Sequence, residues 1–227
     1  MKILLQWLKE YVDADDPHPR PKEMNLGNNA ATLLALAALL ASGSACAAEN
    51  QNRTTETSTR EFLVKLSRWP GEGVPVIAVD VGQSVAVYKD PGSVRPAKTV
   101  EVRQNQTLEW DETTILVYQF GQMEISEPVT AEIYVFSGID PHGQMRSGRS
   151  TTREFSRGEK IDIVSYLAEG AYLFSQRGEY FAMSAEDKGR LLREPETEWW
   201  IHVNQPQEFS GWVRVDGQQV KVIDRTF

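Results

Sequence analysis

Only one cysteine occurs in the 227 residues, Cys46. No intrachain disulfide can form, and metal sites built from several thiolates are excluded. Histidine is nearly as scarce. His18, His142 and His202 are the whole complement, and their spacing offers no His-x-x-x-His metal pair. The chain has no Gly-x-Ser-x-Gly elbow, so a serine nucleophile of that type is missing as well. Asp140-Pro141-His142 is the nearest thing to catalytic material, yet it lies among glycines and reads as a turn. The acidic groups Asp111-Glu112 and Glu159 with Asp162 read as turn and strand-entry residues. Glycosidase carboxylates, by contrast, face each other across a cleft at about 5 to 9.5 Å. The expectation is a chain that is not an enzyme, with no catalytic residue, no metal and no cofactor.

A surplus of positive charge is also lacking: 24 Lys and Arg stand against 32 Asp and Glu, a net charge of −8. Surfaces that hold nucleic acid or anionic lipid need a concentrated basic patch, so both partners are argued against. One basic cluster breaks the pattern, Arg146, Arg149, Arg153 and Arg157. It alternates with Ser, Thr and Gly and reads as a solvated loop.

Long apolar runs are absent apart from Ala30 to Ala41. A bilayer span needs about 20 apolar residues, and this run has the proportions of a signal-peptide core instead. Ala45-Cys46-Ala47 supplies small side chains at −3 and −1 for cleavage after Ala47 or Ala48. The competing processing route would acylate Cys46 as a lipoprotein, although Gly43 stands where a branched aliphatic residue is expected. Met1 to Asn29 carries four Lys/Arg against five Asp/Glu, unlike a positive leader. Translation from Met24, with 1–23 as an upstream extension, accounts for this; an N-terminal amphipathic helix ended by Pro17, Pro19 and Pro21 is the rival. The division expected is a signal peptide at 24–47, a flexible polar tether at 48–59, and a folded part beyond it. That protein would be periplasmic or secreted, touching the membrane only through its leader or a lipid on Cys46.

What is present after residue 59 is a succession of short apolar segments broken by Gly, Pro, Asp and Asn, which predicts an all-β fold. Strands are expected at Phe62–Leu66, Val74–Val79, Val85–Tyr88, Ile115–Phe120, Ala131–Phe136, Glu159–Tyr166, Gly170–Ser175, Glu179–Met183, Glu198–Val203, Gly211–Val215 and Gln218–Ile223. Thr99–Val102 and Thr107–Trp110 alternate with period two and predict a half-buried pair. Ser137 to Arg153 is the expected long loop, and Ser184 to Gly189 a single helical turn. Gln176-Arg177-Gly178 and, more strongly, Asp216-Gly217 signal hairpins.

EWWIHV (Glu198 to Val203), a short turn and GWVRVDG (Gly211 to Gly217) resemble bacterial SH3-like domains, in which a Trp-bearing strand pairs with a Gly-Trp-Val strand. AVYKDPGS (Ala86 to Ser93) is similar to the opening strand and loop of the same family. The two matches lie about a hundred residues apart, whereas such a unit spans about 60 to 70 residues in that family, within the range of domains that fold alone. Either two lobes are present, or one barrel carries a large insertion. The division preferred is a β lobe over 60–138, a loop over 139–157 and a small SH3-like barrel over 158–227. GEKIDIVSYLAEGAYLFSQRGE (Gly158 to Glu179) adds a likeness to exported proteobacterial proteins of this type. The resemblance implies a binding module that recognises a cell-wall peptide or an envelope protein, and it implies no reaction.

Six tryptophans occur, each presenting about 150 to 250 Å² and worth about 4 to 6 kcal/mol if fully buried. Adjacent residues of a strand point to opposite faces. Ile201 and Val203 share the side of Trp199, which sends Trp199 to the core and Trp200 outward with His202. Val213 and Val215 leave Trp212 outward beside Arg214. A ligand groove lined by Trp200, Trp212 and Tyr172 follows, while the SH3-like resemblance selects Trp199 as the residue that meets the ligand. The function expected is a non-enzymatic periplasmic binding module for a peptide, cell-wall fragment or envelope protein. A cell-wall hydrolase or its accessory subunit, and a structural envelope lipoprotein anchored at Cys46, are the alternatives.

Overall fold

Sixteen strands run through the described part of the computed structural model, which comprises residues 60–71, 73–79, 84–102, 106–168, 170–185, 188–205 and 209–226. The expected leader, Cys46, the tether and the segment before them lie outside the described residues. In chain order the strands are β1 (Val64–Leu66), β2 (Val74–Val79), β3 (Ser84–Val87), β4 (Lys98–Glu101), β5 (Thr107–Leu108), β6 (Trp110–Gln119), β7 (Gly121–Ile125) and β8 (Val129–Phe136). They continue as β9 (Gly148–Phe155), β10 (Lys160–Ala168), β11 (Ala171–Gln176), β12 (Glu179–Ser184), β13 (Gly189–Arg193), β14 (Glu196–Gln205), β15 (Phe209–Val215) and β16 (Val220–Thr226). The fold is all-β, as the alternation of apolar segments and turn residues predicts.

Four antiparallel sheets result: β1-β6-β14-β15, β13-β7-β10-β11-β12-β8-β9, β16-β2-β5 and β3-β4. None of them closes into a barrel. Pairing does not follow the expected boundaries at residues 138 and 158. Strand β14 lies against β6 with Trp200 opposite Thr114, and β16 lies against β2 with Val220 opposite Val79. The end of the chain therefore completes sheets begun near residue 64 instead of forming a barrel from 158–227 alone. β7 and β8 are built into the same sheet as β10 to β13. Apolar period fixes which face a residue takes, but the choice of partner strand is a long-range matter that period does not encode.

The central strands β10, β11 and β12 of the seven-stranded sheet are largely buried on both faces, which explains their near-continuous apolar runs. One face, with Tyr134, Phe136, Leu173 and Ala182, packs on Leu66, Ile115 and Val117 of the four-stranded sheet. The other face gathers Ile133, Ile163, Phe174 and Phe181 around itself, with Phe174 and Phe181 stacked at 5.5 Å between centroids. A third cluster draws on both ends of the described chain: Ile77 and Val79 of β2, Val85 and Val87 of β3, Ile201 and Val203 of β14, Val213 of β15 and Val220 of β16.

Several local expectations are corrected. The basic stretch expected as a loop holds a strand, β9, because β8 offers it an unbroken ladder from Val129 opposite Phe155 to Phe136 opposite Gly148. Thr99–Val102 and Thr107–Trp110 do not pair with each other: β4 joins β3 and β5 joins β2. Asp216-Gly217 does turn, with Asp216 Oδ1 accepting the amides of Gln218, Gln219 and Val220 at 2.9, 2.8 and 3.1 Å. The strands it joins nonetheless enter different sheets. Of the expected helical turn, Ser184 belongs to β12 and Gly189 to β13, and 186–187 lie outside the described residues. The Arg177-Gly178 turn has φ of 53° and 83°, the paired positive values of a tight two-residue hairpin.

Candidate functional site

The register of β14 on β15 sets Trp200 opposite Arg214 and His202 opposite Trp212. Opposed residues of antiparallel strands share a face, so Trp200, His202, Trp212 and Arg214 stand on one side of the four-stranded sheet. Trp199 takes the other side, where it packs between the two cores and its indole N–H donates to Thr113 Oγ1 at 2.7 Å. Like Trp212, it is half-buried there.

Trp200 departs from expectation in a different way. It is on the outward face, yet only 2% exposed. Tyr88, from the AVYKDPGS segment, meets its ring edge-on at 5.0 Å, and Leu116 and Tyr118 complete the cluster. The edge of β15 is tied to the end of β3, since Tyr88 and Trp212 exchange backbone hydrogen bonds at 2.8 and 2.9 Å. The groove expected at Trp200 is thus filled by the chain's own tyrosine.

Under that aromatic layer sits one carboxylate. Glu198 Oε2 accepts the Tyr118 hydroxyl at 2.9 Å and the Trp200 indole N–H at 3.1 Å. Its Oε1 accepts from Arg214 at 3.2 Å. The Arg60 guanidinium lies 3.9 Å over the Tyr118 ring and bonds Glu196 at 2.6 Å. Burial, followed by the hydrogen bond to Glu198, raises the Tyr118 phenol well above the ordinary tyrosine range.

Trp212, like Tyr88 and His202, is half-open on this face. The His202 ring meets it edge-on at 5.4 Å, with 63° between the ring planes, and His202 Nδ1 lies 2.7 Å from Asp111 Oδ1. Arg214 follows two residues along on the same side. An indole edge flanked by an imidazole, a carboxylate and a guanidinium can stack on a planar or sugar-like surface while hydrogen bonding around its rim.

Tyr172 does not join this face. It belongs to β11 in the seven-stranded sheet, opposite Tyr166 in β10, with the two rings edge-on at 5.4 Å. There it lines a shallow pocket of about 220 Å³ with Met123, Ile163 and Leu191. Sites for drug-sized ligands run from about 300 Å³, so this one matches a single side chain. Burial, then Glu194, raises the Tyr172 phenol. Of the three residues expected to line a groove, the structure brings together only Trp200 and Trp212, and Trp199, the candidate the resemblance selects, lies on the opposite face.

Sequence reasoning missed Tyr88, Tyr118 and Glu198 on this face. Glu198 shares the parity of Trp200, which is a usable signal. Tyr118 and Tyr88 reach it across strand pairings distant in sequence, which leave no local trace. Asp140-Pro141-His142 forms a turn as expected: Asp140 Oδ1 accepts the amides of His142 and Gln144 at 2.8 and 3.0 Å. Among the described residues, no three His, Cys, Asp or Glu side chains form a metal-ligating group, and no helix is long and apolar enough to cross a membrane. No family model, curated protein or solved structure matches the chain.

Proposed function

We propose that this chain is an exported, non-enzymatic binding module that recognises a peptide, a cell-wall fragment or an envelope protein. Its SH3-like part is discontinuous in this proposal, built from 74–110 and 196–226 with the intervening strands as an insertion. What supports that reading is the backbone exchange between Tyr88 and Trp212, which joins the two segments carrying the family resemblance, and the apolar cluster they share.

The observation that carries the binding assignment is the half-open Trp212 beside His202, Asp111 and Arg214. Pelleting of the full chain with purified peptidoglycan, wild type against Trp212→Ala and His202→Ala, tests it. The expected result is pelleting of wild type and its loss in both variants, each of which still unfolds cooperatively, only a few degrees below wild type. Wild type that stays in the supernatant overturns the cell-wall form. Capture of the same envelope proteins by wild type and Trp212→Ala overturns the role of the aromatic strip. Release of soluble fragments from labelled sacculi overturns the non-enzymatic assignment.

A further inference from the structure

β9 ends the seven-stranded sheet, with β8 as its sole paired neighbour among the described strands. It runs eight residues, GRSTTREF, and six of them are exposed. Its ladder with β8 keeps one register from end to end, so no bulge twists the open side away. It contains no proline. Proteins usually blunt an edge of this kind by shortening, bulging or interrupting it, because a row of unpaired amides and carbonyls templates another strand. Among the described residues only charge protects it, and the charge has one dominant sign: Arg149 and Arg153 within the strand, with Arg146 and Arg157 flanking, against Glu154.

Phe155 is the strand's one buried residue, so core packing accounts for little of its sequence. Arg149 and Arg153 share a face, opposite Val135 and Ala131, and stand roughly 13 Å apart at about 3.3 Å per residue. Arg153 is held by Glu179 at 2.6 Å and lies 4.9 Å over the Phe181 ring. That leaves the Arg149 end and the flanking arginines to meet an incoming group. On a molecule of net charge −8, a local positive edge repels basic strands and other copies of the same edge, and attracts acidic ones.

We propose that the open edge of β9 accepts an extended acidic peptide segment as an added strand. Backbone pairing supplies affinity, and the arginines select carboxylates at alternate positions. This surface is separate from Trp212 and stands or falls independently of it.

The test uses the full chain and a fluorescein-labelled peptide of alternating Glu and Val, read by fluorescence anisotropy. Binding is expected, and Arg149→Ser is expected to weaken it about two- to fivefold, as for an exposed ion pair. Arg157→Ser adds a similar loss, and both variants keep the wild-type melting temperature because the side chains are exposed. Slowed hydrogen exchange within 149–154 on binding is expected too. The same peptide with alternate amides N-methylated, and a Lys-Val counterpart, are expected not to bind. Equal binding of the N-methylated peptide, tighter binding to a DNA duplex or to phosphatidylglycerol vesicles, or no binding of the Glu-Val peptide overturns the proposal.

Discussion

Tyr118 donates its hydroxyl hydrogen to Glu198 Oε2 at 2.9 Å across the β6–β14 pair, and Trp200 donates to the same oxygen. One carboxylate therefore satisfies two donors carried by side chains that are otherwise buried. An unpaired buried donor costs about 1 to 3 kcal/mol. Glu198 is 22% exposed along its side chain, so water replaces part of what it supplies. Glu198→Ala is expected to lower stability by about 1 to 3 kcal/mol in a urea titration with unchanged m-value. Glu198→Gln keeps a carbonyl acceptor and costs less. Equal losses in the two variants would show that the shared acceptor is not what matters.

The raised phenols of Tyr118 and Tyr172 give stability a defined dependence on alkali. A group that holds its proton more tightly when folded stabilises the protein fully below its unfolded pKa, and that contribution is lost as pH rises through the folded value. The unfolded tyrosine value is about 10. Unfolding free energy is therefore expected to fall above about pH 10, with no change from these groups between pH 6 and 9. Tyr118→Phe has no phenol to ionise and should flatten much of that decline, while Tyr172→Phe removes a smaller share. A Tyr118→Phe variant with the wild-type alkaline profile would place the cause elsewhere.

The two outward tryptophans should separate in experiment. Trp200 is covered by Tyr88 and surrounded by Leu116 and Tyr118, so Trp200→Ala opens a cavity and removes one of the two donors to Glu198 Oε2. A loss of about 3 to 5 kcal/mol is expected. Trp212 is half-open, and Trp212→Ala should cost less than about 2 kcal/mol. Thermal unfolding of the pair checks this, and similar melting temperatures would contradict the burial difference.

Much of this molecule is legible along the chain, and the limits have a physical pattern. Alternation in EWWIHV assigns Trp199 and Trp200 to opposite faces correctly, because Cβ direction in a strand is a local property. Solvent exposure of Trp200 is not local. It depends on Tyr88, over a hundred residues away, arriving through the β3–β15 contact. The same applies to Tyr172, whose aromatic character is plain but whose sheet is not. β9 escaped detection because Gly148 to Glu154 has no apolar period, and its strand state is imposed by β8. β7 and β13 are edge-side partners of five residues each, too short to stand out from flanking turns.

Gly211 carries the last prediction, because it stands where the two distant segments touch. A Cβ there would lie 2.6 Å from Val87 Cγ1 and 3.0 Å from the Tyr88 carbonyl oxygen, on a backbone with φ of +143°. Gly217 provides the comparison: its φ is +74°, and nothing lies within 4 Å of an added Cβ. Gly217→Ala is therefore expected to cost only the left-handed penalty, about 1 to 2 kcal/mol. Gly211→Ala adds overpacking of about 1 to 3 kcal/mol on a backbone that already disfavours a side chain. The excess over Gly217→Ala in chemical denaturation measures how tightly β3 is clamped on β15. Hydrogen exchange should show the added opening at Tyr88 and Trp212, whose amides pair across that contact. If the two alanines cost the same and those amides stay protected, the junction is looser than its geometry indicates, and the discontinuous unit proposed for the binding module loses its main support.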